Sequence, residues 1–390
     1  MEMSKLVQST PGSVIRRLFN AADGMDDAIS FSIGEPSFTA PTPVIEDAVK
    51  WLRMEKTHYT DNAGLKELRE AVAEYHANDL NPNPNGEVLI TCGATEAIQL
   101  ALFALVNPGE EVILVTPAWP NYFGQISMCG AVLKAVIAKE ENDFVPTVED
   151  IEAAITEKTR LIILTSPSNP TGAVIDYETN KRLAELICKH NLYVISDEIY
   201  SRFVYTEEPY TSITSFEGIR ERAVYVSGVS KMLAMPGWRI GYAISTPEII
   251  AGMKKMHENG VSCLPEPLQR SAAYALKNCQ ADIEYMRKEY LERRDLICEM
   301  INAVPGMSVK VPKGAFYAMV NVKELMRRTG LDTEPLAMEI LKNTHVITVP
   351  ASGFGPGGDG YLRMSYATSK EGIQEGLSRI HKYVDSLNLF

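Results

Sequence analysis

The chain has 390 residues, too many for one simple hydrophobic core; the length allows roughly two to three domains, and two domains sharing a cleft are expected. A formal net charge of −12 argues against nucleic acid or an anionic membrane surface as partner, because both select for clustered Lys and Arg. The first ten residues contain no apolar signal region, and the longest helix-like apolar run, 97–106, falls far short of the ~20 residues that span a bilayer, so a cytoplasmic protein with no membrane partner is expected.

In chain order, the stretch through about Ile45, with Pro11, Pro36, Pro41 and Pro43, is expected to cross the cleft and join the C-terminal module. Short β-branched runs follow at 88–91, 112–115, 133–137, 161–164, 192–195, 223–226 and 241–244. Helical patterns intervene at 95–106, 148–154 and 180–189, with apolar positions recurring at helical spacing. This alternation predicts an α/β fold with a largely parallel sheet. A long charged amphipathic helix is predicted at 281–303, and strands at 307–311, 316–320 and 346–349 complete an α+β module. The glycine-rich stretch 353–360 reads as a flexible loop before the last strand. The cysteines Cys92, Cys129, Cys188, Cys263, Cys279 and Cys298 are scattered without a Cys-x-x-Cys pair, which predicts reduced packing residues and no structural metal.

Ligands of open parallel sheets gather at the carboxyl ends of the strands, so polar residues there carry the chemical information. Cys92-Gly93-Ala94-Thr95 opens a helix after one strand and offers free amides and a hydroxyl to an anion, although a simple turn reads the same way. Trp119 lies past another strand, where an indole covers a ring or packs. Asn169, between Pro167 and Pro170, is either a held amide or an ordinary turn former. Asp197, with Tyr200 close behind, ends an apolar strand; it either caps the next helix or needs a cationic partner, since an unpaired buried carboxylate is costly. The most informative run is Ser227-Gly-Val-Ser-Lys231-Met-Leu-Ala-Met-Pro-Gly-Trp-Arg239-Ile-Gly. A lysine among small residues at a strand end can be desolvated into an amine nucleophile, and the arginine eight residues on can bind an anionic group. Together they suggest an aldehyde cofactor that carries a phosphate.

That run, with Gly228, Ser230, Lys231, Ala234, Met235, Gly237, Arg239, Ile240 and Gly241 in place, resembles the attachment site of the class I and II aminotransferases. With Gly93, Asn169, Asp197 and Tyr200 the resemblance extends over essentially the whole chain. It implies fold type I of the pyridoxal-phosphate enzymes: a mostly parallel seven-stranded sheet sandwiched by helices in a large domain, 46–282, and a smaller α+β domain formed by 1–45 plus 283–390. It implies pyridoxal 5′-phosphate as cofactor, bound as an internal aldimine on Lys231, which then shuttles a proton between the substrate Cα and the cofactor. Asp197 would pair with the pyridinium nitrogen, Tyr200 and Asn169 with the ring oxygen, and Trp119 would stack on the ring. Gly93, Ala94, Thr95, Ser230 and Arg239 would hold the phosphate. Many relatives carry Ser or Thr three residues before the lysine, where this chain has Gly228, so Ser230 would have to supply the hydroxyl contact.

By the same resemblance Arg363, in Gly360-Tyr-Leu-Arg-Met-Ser, and the Gly34 backbone would bind the substrate α-carboxylate; as bare sequence the arginine also reads as a surface ion pair. Tyr59 would reach the phosphate in a neighbouring subunit, which implies a homodimer with shared active sites. The implied reaction moves an amino group from an L-amino acid (aspartate, aromatic or alanine) to a 2-oxo acid such as 2-oxoglutarate, through quinonoid and ketimine stages. A pyridoxal-phosphate carbon–sulfur β-lyase is the alternative, and a non-catalytic sensor, which would need a basic DNA-binding domain that this chain has no room for, is a third. The segment 261–267 lacks the arginine of some aspartate-specific relatives, and Ala94-Thr95-Glu96 lacks the lysine of another branch. Arg16 or Arg17 remains to read a distal carboxylate at the pocket mouth, or is simply solvated.

Overall fold

The computed structural model describes residues 3–9 and 25–389; Arg16 and Arg17 lie outside the described residues. Seven strands form the main sheet: β1 (Val88–Cys92), β2 (Glu111–Thr116), β3 (Val132–Ile137), β4 (Thr159–Thr165), β5 (Tyr193–Asp197), β6 (Ala223–Gly228) and β7 (Ile240–Ile244). Their order is β1-β7-β6-β5-β4-β2-β3. Neighbours from β6 through β3 run parallel, whereas β7 is antiparallel to both β1 and β6. Each of the seven runs predicted for this sheet forms one of its strands, and the sheet is mostly parallel as expected.

Apart from the edge strand β3, where Val132 and Ile137 are exposed, the strands are apolar on both faces because both faces are covered. On β4, Leu161 and Ile163 turn to the layer that contains the helix Gly93–Leu105, while Ile162 and Leu164 turn to the layer of the helix Tyr177–Lys189. The period of two delivers alternate residues to opposite sides. The helix expected at 180–189 starts three residues earlier because Asp176 accepts the Thr179 amide as its N-cap, a contact worth about 1 kcal/mol. The helix expected at 95–106 likewise starts at Gly93, which puts Gly93 and Ala94 in its first turn.

A second, four-stranded antiparallel sheet has the order Val349–Pro350, Tyr361–Ser365, Tyr317–Asn321, Ser308–Val309. It packs with the helices Gln280–Asn302 and Lys370–Ser386 around Phe316, Leu362, Ile297 and Ile380. The run 346–349 is not one strand: Val346–Ile347 pairs in parallel with Ile29–Ser30, and Val349–Pro350 joins the four-stranded sheet. The chain changes sheet there, which a continuous β-branched pattern conceals. The stretch 353–360 is packed and not a loose loop: Phe354 is fully buried, and Gly355 lies against the Phe123 ring. The two sheets also meet through Glu140, whose Oε2 accepts from Asn321 Nδ2 at 2.7 Å and from the Tyr361 hydroxyl at 3.0 Å. Among the described residues no helix is long and apolar enough to cross a membrane.

Candidate active site

The carboxyl ends of β1, β2, β4, β5 and β6 open into a cleft of about 440 Å³. It gathers Ala94, Thr95, Trp119, Asn169, Asp197, Tyr200, Ser230, Lys231 and Arg239 from the main sheet's side, with Gly34, Tyr317 and Arg363 opposite. Gly93 sits just behind this wall. Tyr59 is elsewhere: it is 93% exposed and lines a separate groove with Leu52 and Cys263.

Lys231 follows β6 in a one-turn helix, and its Nζ donates to the Gly34 carbonyl at 2.5 Å. Burial pulls its pKa down to about 8, helped by the positive charges of Arg363 and Arg239 and opposed by Glu35 and Asp197. A deprotonated amine is therefore accessible near neutral pH.

Asp197 closes β5 and is buried, and burial raises its carboxyl above the ordinary range. No Lys or Arg among the described residues bonds it, and it caps no helix. Its Oδ2 accepts from the Tyr122 hydroxyl at 2.6 Å and its Oδ1 from the Ile199 amide at 3.1 Å. An ionised Asp197 thus keeps room for a cation from a ligand. Tyr122 also lies 2.7 Å from Thr165 Oγ1 and stands edge-on to Trp119, ring centroids 5.3 Å apart.

Tyr200 and Tyr317 share a hydrogen bond of 2.8 Å, and burial pushes both phenols up, so they remain neutral donors. Arg363 is buried with its guanidinium 4.7 Å from the Tyr317 ring centre and 5.0 Å from that of Phe354. It bonds the Ser32 carbonyl and, at 3.3 Å, Asn169 Oδ1. Its Nε has no partner although buried, a cost of the kind that a carboxylate removes.

The first turn of the helix Gly93–Leu105 leaves amides that no intrahelical carbonyl can reach. Arg239, in the left-handed region at φ 59°, folds back to donate to the Cys92 carbonyl at 3.2 Å and the Pro236 carbonyl at 3.0 Å. A Cβ on Gly93, at φ +71°, would stand 2.5 Å from the Arg239 guanidinium, so only glycine admits this approach. Amides and guanidinium together form an anion cradle. At Gly228 a Cβ would meet the Gly241 Cα at 2.8 Å, which accounts for the absence of a hydroxyl residue there. Ser230 is buried and lines the cleft without a hydrogen bond of its own among the described residues.

Three participants carry no signal specific enough to find from sequence. Tyr317 sits in an apolar strand run and Thr165 ends one, while Tyr122 follows Trp119 by three residues, a spacing that puts both on one turn. Glu198, directly after Asp197, is buried and takes hydrogen bonds from Ser196 at 2.7 Å and from Ser212. Burial outweighs these bonds and pushes its carboxyl up to about 7. The folded state therefore favours the protonated form; the associated stability is complete below the unfolded value of 4.5 and is lost as pH rises through about 7. Glu198→Gln lacks this penalty, so thermal melts from about pH 5 to 8 should show the variant gaining on the wild type by a few kcal/mol. A pH-independent difference would remove Glu198 as the source.

The family Aminotransferase class I and II matches residues 26–380. The aspartate aminotransferase of Pyrococcus abyssi is 39% identical over 386 residues, covering 98% of both chains. The aromatic-amino-acid aminotransferase 2 of Thermococcus litoralis is 35% identical over 393 residues, covering 100% of both. The crystal structure of the aromatic aminotransferase from Pyrococcus horikoshii superposes with a TM-score of 0.90 at 36% identity, covering 97% of this chain and 100% of that one. With a family match over residues 26–380 and relatives that align over nearly the whole chain, the chain belongs to the class I and II aminotransferases and is a transaminase of fold type I.

Proposed function

We propose that this aminotransferase uses pyridoxal 5′-phosphate to move the amino group of an L-amino acid (aspartate, aromatic or alanine) to a 2-oxo acid such as 2-oxoglutarate. The observation that supports this best is one cleft holding a lysine whose pKa burial lowers to about 8, a buried carboxylate without a basic partner and a buried arginine with a free Nε. These three groups fit the cofactor and substrate: an aldehyde for the amine, a ring cation for the carboxylate, a carboxylate for the guanidinium.

When bound, the cofactor supplies an aldehyde that condenses with amines and a ring that takes up the electron pair left on Cα. Lys231 Nζ takes the Cα proton as a general base, which its lowered pKa allows near neutrality. Asp197, held by Tyr122 and the Ile199 amide, would keep a proton on the ring nitrogen. Tyr200 and the Asn169 amide would hold the ring oxygen, and Trp119 would pack on the ring. Gly93, Ala94, Thr95, Ser230 and Arg239 would hold the phosphate, while Arg363 and the Gly34 backbone would bind and orient the substrate α-carboxylate. We assign the large domain to 46–282 and the small one to 1–45 plus 283–390. The exposure of Tyr59 supports a homodimer in which this tyrosine serves the partner's phosphate site, and sedimentation as a monomer would overturn that reading.

The deciding experiment incubates protein and cofactor with single amino acids and 2-oxoglutarate. Glutamate is expected from at least one of aspartate, an aromatic amino acid or alanine. If β-substituted donors give pyruvate and ammonia while none gives glutamate, the transfer to 2-oxoglutarate is wrong.

A further inference from the structure

The anion cradle contains an acidic residue. Glu96 lies in the first turn of the helix Gly93–Leu105, where a free carboxylate would fold back onto the open amides and compete with a bound phosphate. It is held away from them. Its Oε2 accepts the Cys92 amide at 2.5 Å, and its Oε1 lies 2.8 Å from His257 Nδ1. With a carboxylate as acceptor, Nδ1 carries the hydrogen.

His257 belongs to the helix Pro247–Gly260 and is fully buried, and its Nε2 has no protein partner. A fully buried imidazole with one nitrogen unsatisfied costs stability that an apolar residue would not, so packing alone is a poor reason for it. What it reaches is the turn into the cradle: Cys92 has its amide fixed by Glu96 and its carbonyl fixed by Arg239.

Resting on the pyridoxal-phosphate reading, we infer that Glu96 and His257 are a positioning pair for the phosphate end of the site. Glu96 sets the Cys92 turn, and with it the direction of the first-turn amides. His257 keeps the carboxylate turned away so that those amides stay open to the phosphate. Neither residue touches the reacting atoms.

The pair is tested by equilibrium binding, read from cofactor absorbance, of pyridoxal phosphate and of pyridoxal, which lacks the phosphate. His257→Leu frees the carboxylate and is expected to weaken pyridoxal phosphate roughly tenfold or more with little change for pyridoxal. The double variant Glu96→Gln/His257→Leu removes the competitor and should recover most of the loss. His257→Gln, which keeps a donor, should retain most of the preference for the phosphate form and serves if the leucine variant does not fold. Equal losses for the two cofactors, or a double variant as weak as His257→Leu, would overturn the pair's role. A wild type that shows no preference for the phosphate form overturns the cofactor reading, and the pair with it; one that prefers it isolates the pair.

Discussion

Lys231→Ala should bring transamination to background while leaving the protein folded and still able to bind cofactor noncovalently. Loss of the proton transfer alone costs about 10²–10⁴-fold, and the same change removes the amine that receives the aldehyde. Borohydride treatment of the wild type with pyridoxal phosphate should fix the cofactor to Lys231, and the alanine variant should take up none. Peptide mapping decides the matter: label on a different lysine would displace Lys231 from the centre of the site. The effect should exceed that of any other single change, because in the proposed reaction the surrounding groups position partners, whereas Lys231 would make and break bonds.

Arg363→Ala should produce the second-largest loss. Each hydrogen bond to a charged group contributes about 1.5–3 kcal/mol, so removing a bidentate pair should lower kcat/KM for amino acids by roughly two orders of magnitude or more. Arg363→Lys should recover only part, since a point charge cannot match the planar fork. Amines without a carboxylate supply the control. The arginine is packed between the Tyr317 and Phe354 rings, so a structural role would slow these amines as much as amino acids; a carboxylate-binding role leaves them almost unaffected.

The main sheet was legible because β1, β2, β4, β5 and β6 are apolar runs closed by a polar or small residue, a pattern that marks both the element and the end that opens on the cleft. Asn169, Asp197 and Lys231 all stand at or just past such ends. Arg363 was not legible from its own surroundings, because one arginine in a strand reads as a surface ion pair, and only the family resemblance gave it a role. Its burial against Tyr317, Phe354 and Ser32 is made by segments far apart in the chain. The Tyr200–Tyr317 hydrogen bond was hidden for the same reason: Tyr200 reads as a site residue, but Tyr317, 117 positions on in an apolar strand run, reads as core. Asp197 reads as a helix cap or as needing a cationic partner; in the fold the Tyr122 hydroxyl and a backbone amide meet part of that need, and no periodicity foretells such a contact. The break at Thr348 was missed because propensity describes the strand state and is blind to which sheet a residue joins.

The placement of β7 between β1 and β6 bears on how the molecule is made. As an edge strand, β1 has β7 as its one neighbour in the sheet, so on the ribosome it waits unpaired while β2 to β6 emerge. The cradle waits with it: Gly241 is where a Cβ would stand 2.3 Å from the Gly93 backbone, so the turn that receives the anion acquires its floor only when β7 inserts. Closing such a long loop is slow and leaves apolar surface exposed meanwhile. A nascent chain halted after Gly228 would already carry most of the sheet, yet its first strand would be an open edge of the kind that recruits other chains, and its anion cradle would lack the strand that completes it.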